Sequence, residues 1–310
     1  MNRALKLLAA LSTLFMFIVL QMGALVTNTG SADGCGAHWP LCKGTFMPDW
    51  DYGAIIEFSH RAVSGLGGLL VLILAVWVWF ALPQRKVVRW LAMGSLFTVV
   101  LQGALGAMAV IWPQPKAVLA LHFGISLLCF SGVLLVTSLV SREDRPSRPV
   151  HPTLTRWVWT VAIFGYGVVY LGALVRHLKA SLACLGWPLC NGQLIPPLYG
   201  LTGAHFIHRV AAALLTIMVI RTAFMVRRLA PDRPDLRRAA DLSILLILLQ
   251  VAEGALMPLG YYNLLTQMVH TGIITLLWGA LSYLCLHVLT LEPAAAASPR
   301  LAGTPTGRPV

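Results

Sequence analysis

The sequence predicts an all-α integral membrane protein in which eight transmembrane helices form two parallel-repeated four-helix bundles. Three observations carry this prediction: the composition, the length of the apolar stretches, and motifs that occur twice. Of the 310 residues, 58% are hydrophobic and 11% are charged, whereas soluble proteins carry about 25% charged residues. A net charge of +12 would suggest nucleic acid for a soluble protein. Here membrane lipid is the expected surrounding, and we expect no nucleic-acid partner.

Eight apolar stretches are each long enough to cross a bilayer, which takes about 20 residues in a helix. Segments rich in Gly, Pro and charged residues separate them. The predicted spans are 8–27, 55–81, 91–111, 117–139, 157–175, 203–226, 241–259 and 264–289. We interpret the first stretch as a helix rather than a cleavable signal, because its apolar run is long and it has a counterpart later in the chain.

The basic residues outside the spans predict the orientation in the membrane. Sixteen Lys and Arg residues fall on one side and four on the other. The first side carries Arg3, Lys6, Arg85, Lys86, Arg89, Arg142, Arg145, Arg148, Arg156, Arg227, Arg228, Arg233, Arg237, Arg238, Arg300 and Arg308, and the second carries Lys43, Lys116, Arg176 and Lys179. Because basic residues are retained in the cytoplasm, we expect a multi-pass membrane protein with both termini cytoplasmic.

The chain contains an internal repeat. Trp-Pro-Leu-Cys at 39–42 returns at 187–190, an offset of 148 residues. The same offset relates four further features, His60-Arg61 to His208-Arg209, Gln102 to Gln250, Gly106 to Gly254, and His122 to His270. Gly-Ala-Leu-Val at 23–26 returns at 172–175 with an offset of 149. Such regularity indicates a duplicated unit.

The repeat divides the chain into four parts. We predict an N-terminal four-helix half at 1–141, a cytoplasmic linker at 142–156, a C-terminal four-helix half at 157–290, and a disordered cytoplasmic tail at 291–310, which is rich in Ala, Pro and Gly. Because each half has an even number of spans, both halves have the same orientation, and the repeat is parallel.

Four histidines fall within the even-numbered spans. His60 and His122 are 62 residues apart, as are His208 and His270. Each lies about five or six residues past the predicted outer start of its helix, roughly 8 Å along a helix that rises about 1.5 Å per residue. Two imidazoles at equal depth on facing helices are a common way to ligate a haem iron. Interface histidines that only bond neighbouring helices are the simpler alternative.

A non-haem metal is a further alternative for these histidines. Such sites usually need three or more protein ligands, and each half repeats only two histidines. His205 offers a third candidate in the C-terminal half. Arg61 and Arg209 directly follow the paired histidines and are candidates for binding haem propionates, since Arg pairs well with carboxylates. Snorkelling to lipid headgroups is the alternative for both.

The two halves differ at two acidic positions. Glu57 lies three residues before His60, on the same helix face, and its counterpart is His205. A carboxylate there is a candidate for moving protons or stabilising a developing cation, or else only interacts with the helix N-terminus. Glu253 replaces Leu105 of the first half. It is a candidate for tuning a second haem or for pairing with His205.

Six cysteines are present. Cys35 and Cys42 lie in one outer loop, and Cys184 and Cys190 lie in its repeat. Disulfides are allowed on the oxidising side, and each pair fits better within its own loop than across the halves. A structural staple and thiol exchange both remain open as roles. The other two cysteines, Cys129 and Cys285, fall inside helices and are interpreted as buried thiols.

The motifs together resemble the haem A synthase family, in its bacterial branch with cysteines in the outer loops. The resemblance covers almost the whole chain and rests on Gly-Ala-Leu-Val-Thr at 23–27, Thr-Gly-Ser at 29–31, Cys35-Gly36, Trp-Pro-Leu-Cys at 39–42, Glu57, His60-Arg61, Gln102 to Gly106, and His122.

This resemblance implies oxidation of one methyl group of haem O to a formyl group, giving haem A for terminal oxidases. It implies that His60 and His122 hold the substrate haem, with Glu57 as the catalytic residue that handles protons. It further implies that His208 and His270 ligate a resident haem b. Haem O synthase and a terminal oxidase are the implied protein partners, together with an electron acceptor that the sequence does not identify.

Two other functions would use the same histidines. A membrane b-type cytochrome would pass electrons without modifying haem, and a haem carrier or chaperone would bind haem reversibly. The absence of a repeat counterpart for Glu57 favours the enzyme, because a protein that only transfers electrons has less need of a carboxylate in one half.

Overall fold

The structure of the protein is a computed structural model that describes residues 2–141 and 150–289. The predicted tail and residues 142–149 of the predicted linker lie outside the described residues. The helices are α1 (Arg3–Thr29), α2 (Tyr52–Ala81), α3 (Lys86–Ile111), α4 (Lys116–Ser141), α5 (Pro152–His177), α6 (Gly200–Leu229), α7 (Pro234–Leu256) and α8 (Leu264–His287), with short 3-10 helices at Ser31–Asp33 and Met257–Leu259.

All eight α-helices are long and apolar enough to cross a membrane. The predicted all-α fold with eight spans is therefore confirmed, and the chain is a multi-pass membrane protein. Several helices begin before their predicted apolar edges because polar side chains cap them. The side chain of Asn2 accepts a hydrogen bond from the N–H of Ala4, and that of Asp51 accepts one from the N–H of Ala54. Such caps satisfy backbone donors that a helix leaves unpaired at its start.

The same pattern of helix neighbours occurs in each half. In the first, α1 and α3 both pack against α2 and α4; in the second, α5 and α7 both pack against α6 and α8. Helix α4 also contacts α5 and α8, and α1 contacts α8. The parallel repeat of two bundles stays a prediction, but these contacts define which helices can present side chains to one another.

Close packing and a few polar contacts join the helices of the two halves. A Cβ atom added at Gly279 of α8 would come within 2.8 Å of Leu134 Cδ2 on α4, so a small residue is needed at that crossing, as is common between membrane helices. At one end, Arg176 Nε donates to Asn28 Oδ1 at 2.6 Å. At the other, the Ser138 hydroxyl and His287 Nε2 lie 3.0 Å apart.

Candidate functional site

The four histidines occupy matching positions on their helices. His60 and His208 lie eight residues past Tyr52 and Gly200, the first residues of α2 and α6. His122 and His270 lie six residues past the first residues of α4 and α8. Helices α2 and α6 begin three residues earlier than predicted, at 52 and 200 instead of 55 and 203, so the predicted distance of five or six residues was too short for the first histidine of each pair.

In each half, the two helices that carry the histidines pack against the same two odd-numbered helices. Helices α2 and α4, which carry His60 and His122, both contact α1 and α3, and helices α6 and α8, which carry His208 and His270, both contact α5 and α7. Each pair therefore draws one imidazole from each of two even-numbered helices. The assignment of each pair as ligands of one haem iron stays a prediction.

Each histidine ring also lies against a glycine of the preceding odd-numbered helix. An added Cβ atom would meet the ring carbon Cε1 at 3.3 Å for Gly23 and His60, 3.8 Å for Gly106 and His122, 2.8 Å for Gly172 and His208, and 3.2 Å for Gly254 and His270. Since real Cβ contacts are longer than the shortest of these distances, glycine leaves the space that the imidazoles occupy. Gly23, Gly172 and Gly254 thus limit how the facing histidine ring can turn, whereas the 3.8 Å distance at Gly106 is an ordinary van der Waals contact.

From the sequence alone, these glycines were identified only as residues that recur in both halves. Gly106 and Gly254 marked the repeat offset, and Gly23 and Gly172 opened a repeated tetrapeptide, with no contact assigned to any of them. The repeat itself could have indicated their importance, because each glycine recurs on the helix that precedes a repeated histidine. Which ring faces which glycine depends on the helix rotation, and the repeat does not specify that rotation.

The Nδ1 atoms of the second histidine in each pair have different surroundings. His270 Nδ1 lies 2.7 Å from Glu253 Oε2. His122 Nδ1 is buried and has no hydrogen-bond partner among the described residues, and Leu105 stands at the position that matches Glu253. Of the two interpretations of Glu253, the contact with His270 is the one that the structure contains; His205 has a different partner.

Glu57 is buried, with 4% of its surface exposed, and both of its carboxylate oxygens are engaged. The backbone N–H of Cys35 donates to Oε2 at 2.8 Å, and Arg61 Nη2 donates to Oε1 at 2.5 Å. The N-terminal cap of α2 is Asp51. Glu57 therefore fastens the cysteine loop to α2, one helical turn from His60.

The guanidinium groups of Arg61 and Arg209 both point into the cysteine loops. Arg61 Nη1 donates to the carbonyl oxygens of His38 at 2.6 Å and Leu41 at 2.7 Å. Arg209 Nη1 donates to the carbonyl of Gly186 at 2.9 Å. Both arginines thus tie a loop to a histidine helix, a role that the sequence did not predict.

Arg209 makes two further contacts in the second half. Its Nη2 donates to the carbonyl of Cys184, and its Nε donates to His205 Nε2 at 3.3 Å. The pair of Arg209 and His205 takes the place of the pair of Arg61 and Glu57. Because its Nε2 accepts this hydrogen bond, His205 is poorly suited to be a third iron ligand.

Both cysteine pairs are joined within their own loops. The Cα atoms are 4.4 Å apart for Cys35 and Cys42 and 4.8 Å apart for Cys184 and Cys190, and the sulfur atoms are bonded in each pair. The remaining cysteines, Cys129 and Cys285, are buried thiols. The first disulfide lies beside Glu57, because Cys35 supplies the N–H that this carboxylate binds.

The donor set fits a haem better than a bare metal ion. Each half presents two imidazoles that lie against glycines, and the arginine side chains lie at the same ends of α2 and α6. Within residues 2–141 and 150–289, no three His, Cys, Asp or Glu side chains lie together as a metal site would require. Two nitrogen ligands suffice for a haem, since the porphyrin supplies the other four.

Comparisons with known proteins agree on one family. Residues 49–282 match the sequence model of the family described as Cytochrome oxidase assembly protein. A protein of Symbiobacterium thermophilum named Heme A synthase is 55% identical over 291 residues, which cover 91% of this chain and 95% of that protein. Proteins of the same name from Geobacillus kaustophilus and Alkalihalophilus pseudofirmus are 43% and 40% identical, covering 95% and 93% of this chain and 94% and 98% of their own lengths.

Proposed function

The chain belongs to the haem A synthase family of cytochrome oxidase assembly proteins, and from this membership we propose that it oxidises a methyl group of haem O to a formyl group inside the membrane. One observation supports this proposal most. The two halves carry histidines at matching positions, yet only the N-terminal half has a buried carboxylate, Glu57, one turn before its first histidine on the same helix, where the C-terminal half has His205.

In this proposal the N-terminal half, 1–141, is the substrate half. His60 and His122 bind the iron of haem O, which fixes the porphyrin edge relative to Glu57. Conversion of a methyl to a formyl group through two hydroxylations and loss of water removes four electrons from the substrate overall, and protons must leave with them. Glu57 is the buried carboxylate of this half, and a carboxylate within the membrane is suited to take protons.

The surroundings of Glu57 hold its carboxylate in place. Arg61 and the Cys35 N–H donate to its two oxygens, so both oxygens are fixed one helical turn from His60. A negative charge at this position also stabilises a positive charge that develops on the substrate. Proton transfer and electrostatic stabilisation are both compatible with these contacts, and the Glu57 variants described in the Discussion separate them from loop anchoring.

The C-terminal half, 157–290, is proposed to hold a resident haem b between His208 and His270. When bound, this group carries single electrons between the substrate half and an electron acceptor. The chain itself contributes the two imidazoles, the glycines that orient them, and the carboxylate of Glu253. Arg61 and Arg209 are proposed to bind haem propionates in addition to the loop carbonyls that accept their hydrogen bonds.

The cellular setting is proposed from the sequence and the relatives. Both termini lie in the cytoplasm according to the distribution of basic residues, so the histidine pairs lie near the outer face of a bacterial plasma membrane. Haem O synthase supplies the substrate in this scheme, and a terminal oxidase receives the product.

The direct test supplies haem O to membranes that contain the full chain and follows the extracted pigment. We expect conversion to a product with a formyl group, identified by its mass and by the shifted absorbance of its reduced pyridine complex. Membranes without the chain are the control. Bound haem O that is recovered unchanged, under conditions where the relative from Symbiobacterium thermophilum converts it, would favour the carrier or the simple cytochrome instead.

A second prediction concerns the space that Gly172 leaves for His208. The change Gly172→Ala adds a Cβ atom that would lie 2.8 Å from His208 Cε1, so the ring must move away from its orientation. We expect haem retention in the C-terminal half to fall by about 10–100-fold, the usual effect of disturbing the support of a metal ligand. Haem content after dilution and gel filtration measures this loss.

Gly167→Ala is the matched control for this prediction. Gly167 lies on the same helix, and a Cβ atom added there meets nothing within 4 Å. The same chemical change should therefore leave haem content unchanged. Equal haem loss in both variants would show that α5 tolerates no added methyl group and would remove the specific role of Gly172.

A further inference from the structure

We propose that Glu253 is a positioning residue that fixes the iron-binding tautomer of His270 and lowers the reduction potential of the haem in the C-terminal half. The inference rests on the proposed function, because it takes His270 as an axial ligand. It goes further by stating why two equivalent histidine pairs would have different haem chemistry.

The contact between the two side chains is short, and the His270 side chain, which is 29% exposed, is less buried than its partner. His270 Nδ1 lies 2.7 Å from Glu253 Oε2, and the Glu253 side chain is 9% exposed. Carboxylate oxygens only accept hydrogen bonds, so Nδ1 carries the hydrogen and Nε2 keeps its lone pair. The nitrogen on the far side of the ring is thus the one available to an iron.

The second oxygen of Glu253 makes no competing contact. Glu253 Oε1 is buried and has no hydrogen-bond partner among the described residues. No Lys or Arg among those residues forms an ion pair with this carboxylate, in contrast to Glu57, which Arg61 contacts. Its negative charge therefore acts mainly on the His270 ring.

Helix α7 restrains His270 in two ways at adjacent residues. Glu253 provides the acceptor for Nδ1, and Gly254 leaves the space for the ring, since an added Cβ atom would come within 3.2 Å of Cε1. A ligand restrained at both points keeps one orientation, and such outer partners raise the basicity of a metal-bound imidazole.

The first half lacks the acceptor for the corresponding ring. Leu105 stands where Glu253 would be, and His122 Nδ1 has no hydrogen-bond partner within the part of the chain that the structure describes. The space at Gly106 is also wider, at 3.8 Å. A histidine ring that its neighbours hold less firmly suits a site where haem enters as substrate and leaves as product. The firmer hold on the His270 ring suits a haem that stays bound.

The effect on the reduction potential follows from charge. A hydrogen bond to a carboxylate is roughly twice as strong as one between neutral groups, and it makes the imidazole a stronger electron donor. Ferric iron carries one more positive charge than ferrous iron, so it gains more from that donation. The ferric form is favoured and the potential falls.

The test uses the purified full chain with haem bound and titrates the haem absorbance against solution potential. Glu253→Gln keeps the shape and an acceptor but removes the charge, and Glu253→Leu copies the first half. We expect the potential of the C-terminal haem to rise in both, and more in Glu253→Leu. Each tenfold loss of ferric preference corresponds to about 59 mV for one electron. Haem retention should also fall by about 10–100-fold.

Glu57→Gln is the matched control, because it makes the same chemical change in the other half. It should leave the potential of the C-terminal haem unchanged. Unaltered potentials in both Glu253 variants, with haem bound as in the unmodified chain, would overturn the inference and leave the proposed function intact. If His208→Ala and His270→Ala each bind as much haem as the unmodified chain, the haem b site itself would be overturned, and the role of Glu253 with it.

Discussion

Replacing His208 with alanine is expected to abolish the low-spin haem spectrum of the C-terminal half. A low-spin iron needs a strong-field ligand on both faces of the porphyrin, and His208 and His270 are the two imidazoles proposed as ligands in this half. Removing one leaves the iron with a single protein ligand and an open position. Absorption and electron paramagnetic resonance spectra of the purified chain measure the loss directly.

Two controls make the His208 experiment specific. His205→Ala removes a neighbouring imidazole on the same helix, one whose Nε2 accepts a hydrogen bond from Arg209, and should keep the low-spin signal. Added free imidazole should restore the signal in His208→Ala, because it fits the vacated position. A low-spin spectrum that survives in His208→Ala without added imidazole would contradict the assigned ligand pair.

The second large effect is expected at Glu57. In Glu57→Gln, the amide oxygen can still accept the hydrogen bond that the Cys35 N–H now donates at 2.8 Å, while the charge and the ability to take a proton are lost. We expect haem binding to persist and formyl formation to fall by about 10²–10⁴-fold, the usual contribution of acid–base catalysis. Single-turnover conversion of bound haem O measures the rate.

Glu57→Ala separates the loop contact from the chemistry. It removes both the carboxylate and the anchor of the cysteine loop. The rate of formyl formation should therefore fall as much as in Glu57→Gln. The loop should also loosen, which would be seen as faster reduction of the Cys35–Cys42 disulfide. Full activity in Glu57→Gln together with loss in Glu57→Ala would assign Glu57 to loop anchoring alone and withdraw its catalytic role.

The spans and the pairing of the loop cysteines were predictable because both depend on local features of the chain. A helix that crosses lipid must satisfy its backbone internally and be apolar along its length, so a long apolar stretch specifies a span by itself. Disulfides across six or seven residues need only a tight loop. The helix ends were less predictable, because capping by Asn2 and Asp51 extends helices into polar sequence.

The sequence by itself determined the eight spans, the duplicated motifs, and four histidines at matching positions. Only the tertiary structure decided what each polar side chain touches: Glu253 with His270 instead of His205, Glu57 with Arg61 and the Cys35 N–H, and a glycine against every histidine ring. The physical reason is that these contacts join different helices and loops. They depend on how each helix is rotated and how closely it approaches its neighbour, and neither hydropathy nor repeat spacing contains that information.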